Sequence, residues 1–233
     1  MTPKHFVNAL AAANLPSVFN PWRDRCAVHD RRDAAERRRD NLERMLSAVL
    51  DAQVETIWIA RDLGYRGGRR TGVPLTDEVH LDRAGVLMGG IALERATQGP
   101  AVAERTAAIV WRVLDEIAKP VMLWNVFPFH PHDAGDSMSN RCHTRSEREA
   151  TWPLLQALID MIRPRQIIAI GRDAHLALGE LGVPTAAVRH PSYGGQREFI
   201  EGMYSLYGIT ERRSAPPCLP FDAPYAASSC ALA

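Results

Sequence analysis

Four times along the chain a helical stripe of apolar side chains gives way to a short, β-rich apolar run, and this alternation restricts the fold more than any other feature. Leu42, Met45, Leu46, Val49 and Leu50 precede ETIWIA (55–60); Val102, Ile109, Val110, Val113, Leu114 and Ile117 precede VMLWNV (121–126), which Pro120 opens. Trp152, Leu155, Leu158, Ile159 and Ile162, stopped by Pro164, precede QIIAIG (166–171), and a helix from Asp173 to Leu181 precedes TAAVRH (185–190). Helices alternating with short buried strands predict an α/β fold, a three-layer αβα sandwich around a four-stranded parallel sheet. Residues 1–30 read as an irregular lead-in with one short helix. The eight Arg and six acids over residues 21–45 read as a solvated face. No internal repeat is present. A single domain is expected over residues 1–213, and the Pro/Ala-rich residues 214–233, with one charge, are expected to form an extended or disordered tail.

Composition excludes more than it assigns. The 28 basic and 27 acidic residues nearly cancel, so any nucleic-acid surface has to be local. No apolar run approaches the ~18 residues of a membrane span, and the N-terminus lacks a long apolar leader, which predicts a cytoplasmic protein. Cys26, Cys142, Cys218 and Cys230 are scattered without a C-x-x-C pair, so free thiols are expected and no disulfide framework, zinc site or iron–sulfur cluster. Only Lys4 and Lys119 could supply an amine nucleophile.

Ligands of open α/β sheets bind beyond the carboxyl ends of the strands, and three of those ends are unusual here. Asp62, Gly64, Tyr65, Gly67, Gly68, Arg69 and Arg70 follow the first strand; Asn125, Phe127, Phe129, His130 and His132 the second; His190, Pro191, Ser192, Tyr193, Gly194 and Gly195 the fourth. The glycine-rich loop is neither a P-loop nor a G-x-G-x-x-G turn. Four Arg against one Asp between Arg61 and Arg70 give it a local charge of +3, suited to phosphates through guanidinium forks and glycine amides, or else to solvent. His130, His132, Asp133 and Asp136 are a weak candidate for a metal site. An acid, a carboxamide and an imidazole at converging strand ends can orient a water, read a base edge and stabilise a developing anion.

These residues resemble the uracil-DNA glycosylase superfamily. LWNVFPFHPH and VRHPSYGG are similar to its second and third elements, and GYRGGRRTGVPLTDE resembles the loop after the first motif in a bacterial branch; the likeness spans about Thr56 to Tyr207. The resemblance implies that Asp62 positions the attacking water and stabilises the cationic sugar, that Asn125 holds the uracil edge, and that His190 hydrogen-bonds uracil O2. It implies a phosphate contact at Ser192 and a DNA wedge over the Tyr193–Arg197 loop, with Gly194, Gln196 and Arg197. Arg66, Arg69 and Arg70 are expected to take phosphates. The chain departs from the family pattern: ARDLGY lacks the initial Gly and has Leu63 where Pro is usual, Leu75 stands where a Phe stacks on the base, and Gly64 replaces a bulky Tyr, with Tyr65 one place later.

The implied activity is a monofunctional base-excision-repair enzyme that flips uracil out of DNA and hydrolyses its N-glycosidic bond, leaving an abasic site and free uracil. No cofactor and no metal are expected. The partner would be uracil-containing DNA, with no membrane, and the protein a nucleoid-associated monomer. The alternatives are a non-catalytic uracil or single-strand DNA-binding module of the same fold, and a metal-dependent hydrolase using His130 and His132.

Overall fold

A computed structural model describes residues 1–209. Residues 210–213 of the expected domain and the 214–233 tail lie outside the described residues.

The sheet is built by β2 (Thr56–Asp62), β3 (Met122–Phe127), β5 (Gln166–Ile170) and β6 (Ala186–Val188), all parallel in the order β3-β2-β5-β6. A second, two-residue antiparallel pair joins β1 (Val18–Phe19) to β4 (His130–Pro131). Ile57, Trp58 and Ile59 are fully buried in β2, and every residue of β3 is buried, as strands covered on both faces require.

The chain steps from β2 to β3 in one direction and then returns across β2 to β5 and β6. Right-handed crossovers therefore send the helix after β2 to one face of the sheet and those after β3 and β5 to the other. The packing follows. α5 (Arg105–Ile117) lies with α8 (Gln196–Tyr207), whereas α6 (Arg145–Ile162) and α7 (Arg172–Glu180) contact the sheet, with α1 (Pro3–Ala12) on α6 and α2 (Ala34–Asp51) on α1. The reversal leaves a switch point between the carboxyl ends of β2 and β5, where α/β folds open a crevice.

Local chemistry sets the helix limits. α5 begins at Arg105, and leaves Val102 outside, because the Glu104 carboxylate caps it by accepting from the Thr106 and Ala107 amides at 3.0 Å. α6 begins upstream of Trp152 because Thr144 and Glu147 form a capping box, and it continues through Pro153. It ends at Arg163, in a left-handed conformation ahead of Pro164. The stretch after Gly195 continues as α8, whose Phe199, Ile200, Met203 and Tyr204 form a buried face. Trp58 holds it there: its Nε1–H donates to the Tyr207 hydroxyl at 2.9 Å and its ring meets Phe199 edge-on.

One expectation about charge is corrected here. The arginines of residues 21–45 are not all on a solvated face, because Arg38 is 1% exposed in α2 and bonds Asp30 at 2.5 Å. It also donates to the carbonyl oxygens of Arg70 and Pro21 at 3.0 and 3.3 Å. A planar, five-donor guanidinium can satisfy several acceptors while buried, which a charge count along the sequence cannot register.

Candidate active site

A cleft of about 860 Å³ opens at the switch point. Ala60, Arg61 and Asp62 from the end of β2, Ile170 and Gly171 from the end of β5, and His190 beyond β6 line it. Asp62 and Asn125 come together because Ala60 and Asn125 are register partners on β2 and β3. The Asn125 Nδ2 donates to the Asp62 carbonyl at 3.0 Å, while its Oδ1 is buried with no partner. Turning the amide over would set two oxygens against each other, so the orientation is fixed by chemistry.

His190 enters from the opposite side. The Ser192 amide donates to its Nδ1 at 3.1 Å, and the Ser192 hydroxyl lies 2.7 Å from the same atom. Nδ1 is therefore the acceptor, and a neutral ring carries its proton on Nε2. Burial, then the positive charges of Arg61 and Arg189, push its pKa down to about 4, so near neutral pH the imidazole is a neutral donor. The turn that seats it needs glycine: a Cβ on Gly195 would lie 2.2 Å from the His190 carbonyl oxygen.

Asp62 is held by two donors. Arg61 Nε bonds its Oδ2 at 2.6 Å, and the Nδ1 of His143 contacts its Oδ1. Arg61 also reaches Asp173 at 2.6 Å. Burial alone would lower the Arg61 pKa, but these hydrogen bonds outweigh it and raise the value. Sequence reading passed over His143, which sits in no motif and lies 81 positions from Asp62.

The glycine-rich loop corrects one expectation. Arg69 and Arg70 are not available to phosphates, because both guanidinium groups are turned inward. Arg69 lies 4.1 Å from the Phe19 ring centroid and bonds the Ser137 carbonyl. Arg70 pairs with the buried Glu78 at 3.0 Å and donates to Thr97 at 3.2 Å. Gly64, Gly67 and Gly68 of this loop lie on the cleft wall, whereas Gly72 serves packing. A Cβ on Gly72, whose φ is +73°, would lie 2.6 Å from that of Arg38, so this residue lets the loop close over α2. Arg66 alone of the three is exposed, with its Nε bonded to the Tyr65 hydroxyl at 2.8 Å.

Leu75 and Gly64 line the cleft, and Leu75 does so with a left-handed backbone, φ +54°. Such a conformation is uncommon for a branched residue and concentrates at ligand sites. Ser192, Tyr193, Gly194 and Gln196 are also on its wall, but Gln196 and Arg197 belong to the first turn of α8 rather than to a loop. The cations on the wall are Arg61, Arg105, Arg141, Arg172 and Arg189, of which only Arg61 belongs to the loop charge read as suited to phosphates.

The histidine cluster after β3 has another role. His130 is fully buried, with Nε2 placed 2.9 Å from the Ser139 carbonyl and 3.1 Å from Asn140 Oδ1. Burial, then the charge of Arg69, push its pKa down to about 3. Among the described residues no group of three or more His, Cys, Asp and Glu is placed to hold a metal ion. No helix among them is long and apolar enough to cross a membrane.

A comparison with curated protein sequences gave no match. Among solved structures, wild-type SMUG2 of Pedobacter heparinus is similar, with a TM-score of 0.57 at 14% identity, covering 89% of this chain and 97% of that one. That likeness is one of fold. The family model of the uracil DNA glycosylase superfamily matches residues 62–202, which run from the carboxyl end of β2 into α8 and include Asp62, Asn125 and His190. With more than half of its length matched, the chain belongs to the uracil DNA glycosylase superfamily.

Proposed function

We propose that the protein excises uracil from DNA, hydrolysing the N-glycosidic bond and leaving an abasic site. The observation that carries this reading is the Asn125 amide: its Nδ2 is tied to Asp62, and its Oδ1 is a buried acceptor with no partner. An unsatisfied buried acceptor costs about 1–3 kcal/mol. A base with an imide N–H relieves that cost, and the second Nδ2 hydrogen is then free for the neighbouring carbonyl. Uracil offers N3–H and O4 in that order, whereas cytosine offers a lone pair and an amino group, so cytosine is rejected at both contacts.

The remaining groups suit the reaction. As the glycosidic bond lengthens, the sugar gains oxocarbenium character and the base gains charge at O2. A neutral His190 donating through Nε2 stabilises that anion, and the Asp62 carboxylate stabilises the cation and orients water. The leaving base, once hydrogen-bonded, needs no second carboxylic acid. Neither lysine lies on the cleft wall, which fits a monofunctional enzyme that forms no Schiff base. The cleft's arginines take the phosphates flanking the flipped nucleotide, and Tyr193 enters the stack it vacates.

The test is single-turnover release from matched oligonucleotides carrying one uracil, thymine or cytosine, run with and without chelator. Uracil release that is insensitive to chelator and lost in Asp62→Asn is expected, and borohydride should trap no adduct. Tight binding without release would instead leave a non-catalytic DNA-binding module.

A further inference from the structure

We infer that His143 is the positioning residue for the Asp62 carboxylate, which it orients through its Nδ1–H; the inference rests on the glycosylase reading of the cleft. A carboxylate has no proton to give, so in this contact the ring nitrogen must be the donor. That assigns the Nδ1–H tautomer to a neutral His143, opposite to the assignment for His190.

The His143 ring sits between the Asp62 carboxylate and the Phe127 ring. The His143 side chain is 5% exposed, and its ring lies 5.3 Å from that of Phe127, tilted by 31°. Phe127 is itself the register partner of Asp62 on β3, so the ring and the carboxylate refer to one pair of strands. The backbone on both sides of His143 is tied down. Arg141 donates to the His132 carbonyl at 2.9 Å and to Glu147 at 2.6 and 2.8 Å, and Thr144 caps α6 through the same Glu147. A ring so held has one place to put its Nδ1–H.

Its contribution differs from that of Arg61. Arg61 brings a positive charge that it shares with Asp173, and a cation against the carboxylate reduces the field that the developing sugar cation would feel. His143 meets the other carboxylate oxygen, Oδ1, from a different part of the fold. With one oxygen held by each donor, the plane of the carboxylate is set, and the remaining lone pairs face a fixed point. A displacement of about 1 Å at such a group can cost on the order of 10²-fold in rate. Neither His143 nor Asn125 is on the cleft wall itself; His143 is assigned to positioning because its ring contact is with the Asp62 carboxylate.

Three substitutions separate this role from a packing role. The side-chain amide of Asn reaches the place of Nδ1, and that of Gln the place of Nε2. His143→Ala and His143→Gln should lower the single-turnover rate of uracil release by roughly 10- to 100-fold while affinity for uracil-containing DNA stays within about twofold. His143→Asn should restore most of the rate. Equal losses in the Ala and Asn variants, in step with lower melting temperatures, would overturn the inference in favour of packing alone, and retention by Gln but not Asn would overturn it in favour of a function at Nε2. A second arm needs no activity. Ring nitrogen NMR of the full chain should show an Nδ1–H tautomer at His143 whose proton resonance shifts or disappears in Asp62→Ala. An Nε2–H tautomer there, or a resonance indifferent to Asp62→Ala, would sink the pairing even if the parent releases uracil. A parent that releases no uracil but shows the paired Nδ1–H resonance would reject the glycosylase reading and keep the contact.

Discussion

The loops after β2 and β6 frame opposite walls of one cleft, and they treat their conspicuous side chains in opposite ways. After β2, Arg69 and Arg70 turn inward onto Phe19, Glu78 and Thr97, and Gly72 closes the loop over Arg38. After β6, Tyr193 stands 98% exposed in a left-handed backbone at φ +51°. Apart from the exposed Arg66, the first loop satisfies its charges within the protein and so acts as a scaffold, carrying Gly64 and Leu75 to the cleft. The second presents an aromatic ring to solvent from an unfavourable conformation, as the DNA-stack contact proposed for Tyr193 requires.

The largest expected effect breaks the scaffold side of this comparison. Arg70→Ala leaves the buried Glu78 carboxylate with Arg95, at 3.5 Å, as its remaining cation, and removing one partner of a buried pair costs up to about 3–5 kcal/mol. Denaturant unfolding should show a loss of that order, whereas Arg66→Ala, at an exposed position on the same loop, should leave the midpoint nearly unchanged. Equal midpoints for the two variants would mean that Arg70 is not structural.

How much of this was legible follows from the same loops. The sheet, its order of helices and strands, and the three strand ends could be read because periodicity and punctuation are local signals. Asp62 and His190 reach one cleft, and Asn125 meets Asp62 from the neighbouring strand, because parallel strands deliver their carboxyl ends to one side. The burial of Arg38, Arg69 and Arg70 could not be read, since a guanidinium's acceptors are mostly backbone carbonyls and distant acids. His143 was hidden for the same reason: its partner lies across the fold. The two-residue strands β1 and β4 are too short for any period, but the apolar spacing of Phe199, Ile200, Met203 and Tyr204 did signal α8 and was passed over in favour of the loop before it.

Next in size are the chemical steps. Asp62→Asn and His190→Ala should each lower the single-turnover rate by on the order of 10²-fold or more, with little change in DNA affinity, since the proposed role of both is on charge that develops in the transition state. Full activity in Asp62→Asn would remove the acid from the mechanism.

The neutrality of His190 has its own signature in stability. Its folded pKa of about 4 lies below the ordinary 6.5, so above pH 6.5 neither state takes up its proton, and as pH falls from 6.5 towards 4 the unfolded chain binds a proton that the folded chain refuses. Stability is therefore lost on acidification, by up to about 1.4 kcal/mol per pH unit for one proton. Unfolding of His190→Gln should be less steep than the parent over that window. A matching slope would mean that the imidazole protonates as readily folded as unfolded.

The exposed side of the comparison is tested at Tyr193. Replacing it with Ala should weaken binding to DNA roughly tenfold, the scale of one lost base–aromatic stack. Gly at this position suits the positive φ and should raise the melting temperature slightly while losing the same affinity. Unchanged affinity in both variants would make the exposed ring incidental.

The smallest effect distinguishes arginines by their partners. Arg105, Arg172 and Arg189 line the cleft with no ion pair among the described residues, whereas Arg141 is engaged by Glu147 and Arg61 by two aspartates. An unpaired guanidinium that neutralises a phosphate releases condensed counterions, and the logarithm of the binding constant then falls with the logarithm of salt by about 0.9 per contact on duplex and about 0.7 on single strands. Substituting each of the three by Ala should reduce the slope by about that amount for uracil-containing and normal DNA alike, since phosphates carry no sequence. Arg69→Ala, with its side chain turned onto Phe19, should leave the slope unchanged in any molecules that stay folded. A reduced slope for Arg69→Ala but not for Arg105, Arg172 or Arg189 would return phosphate binding to the glycine-rich loop and reverse the comparison.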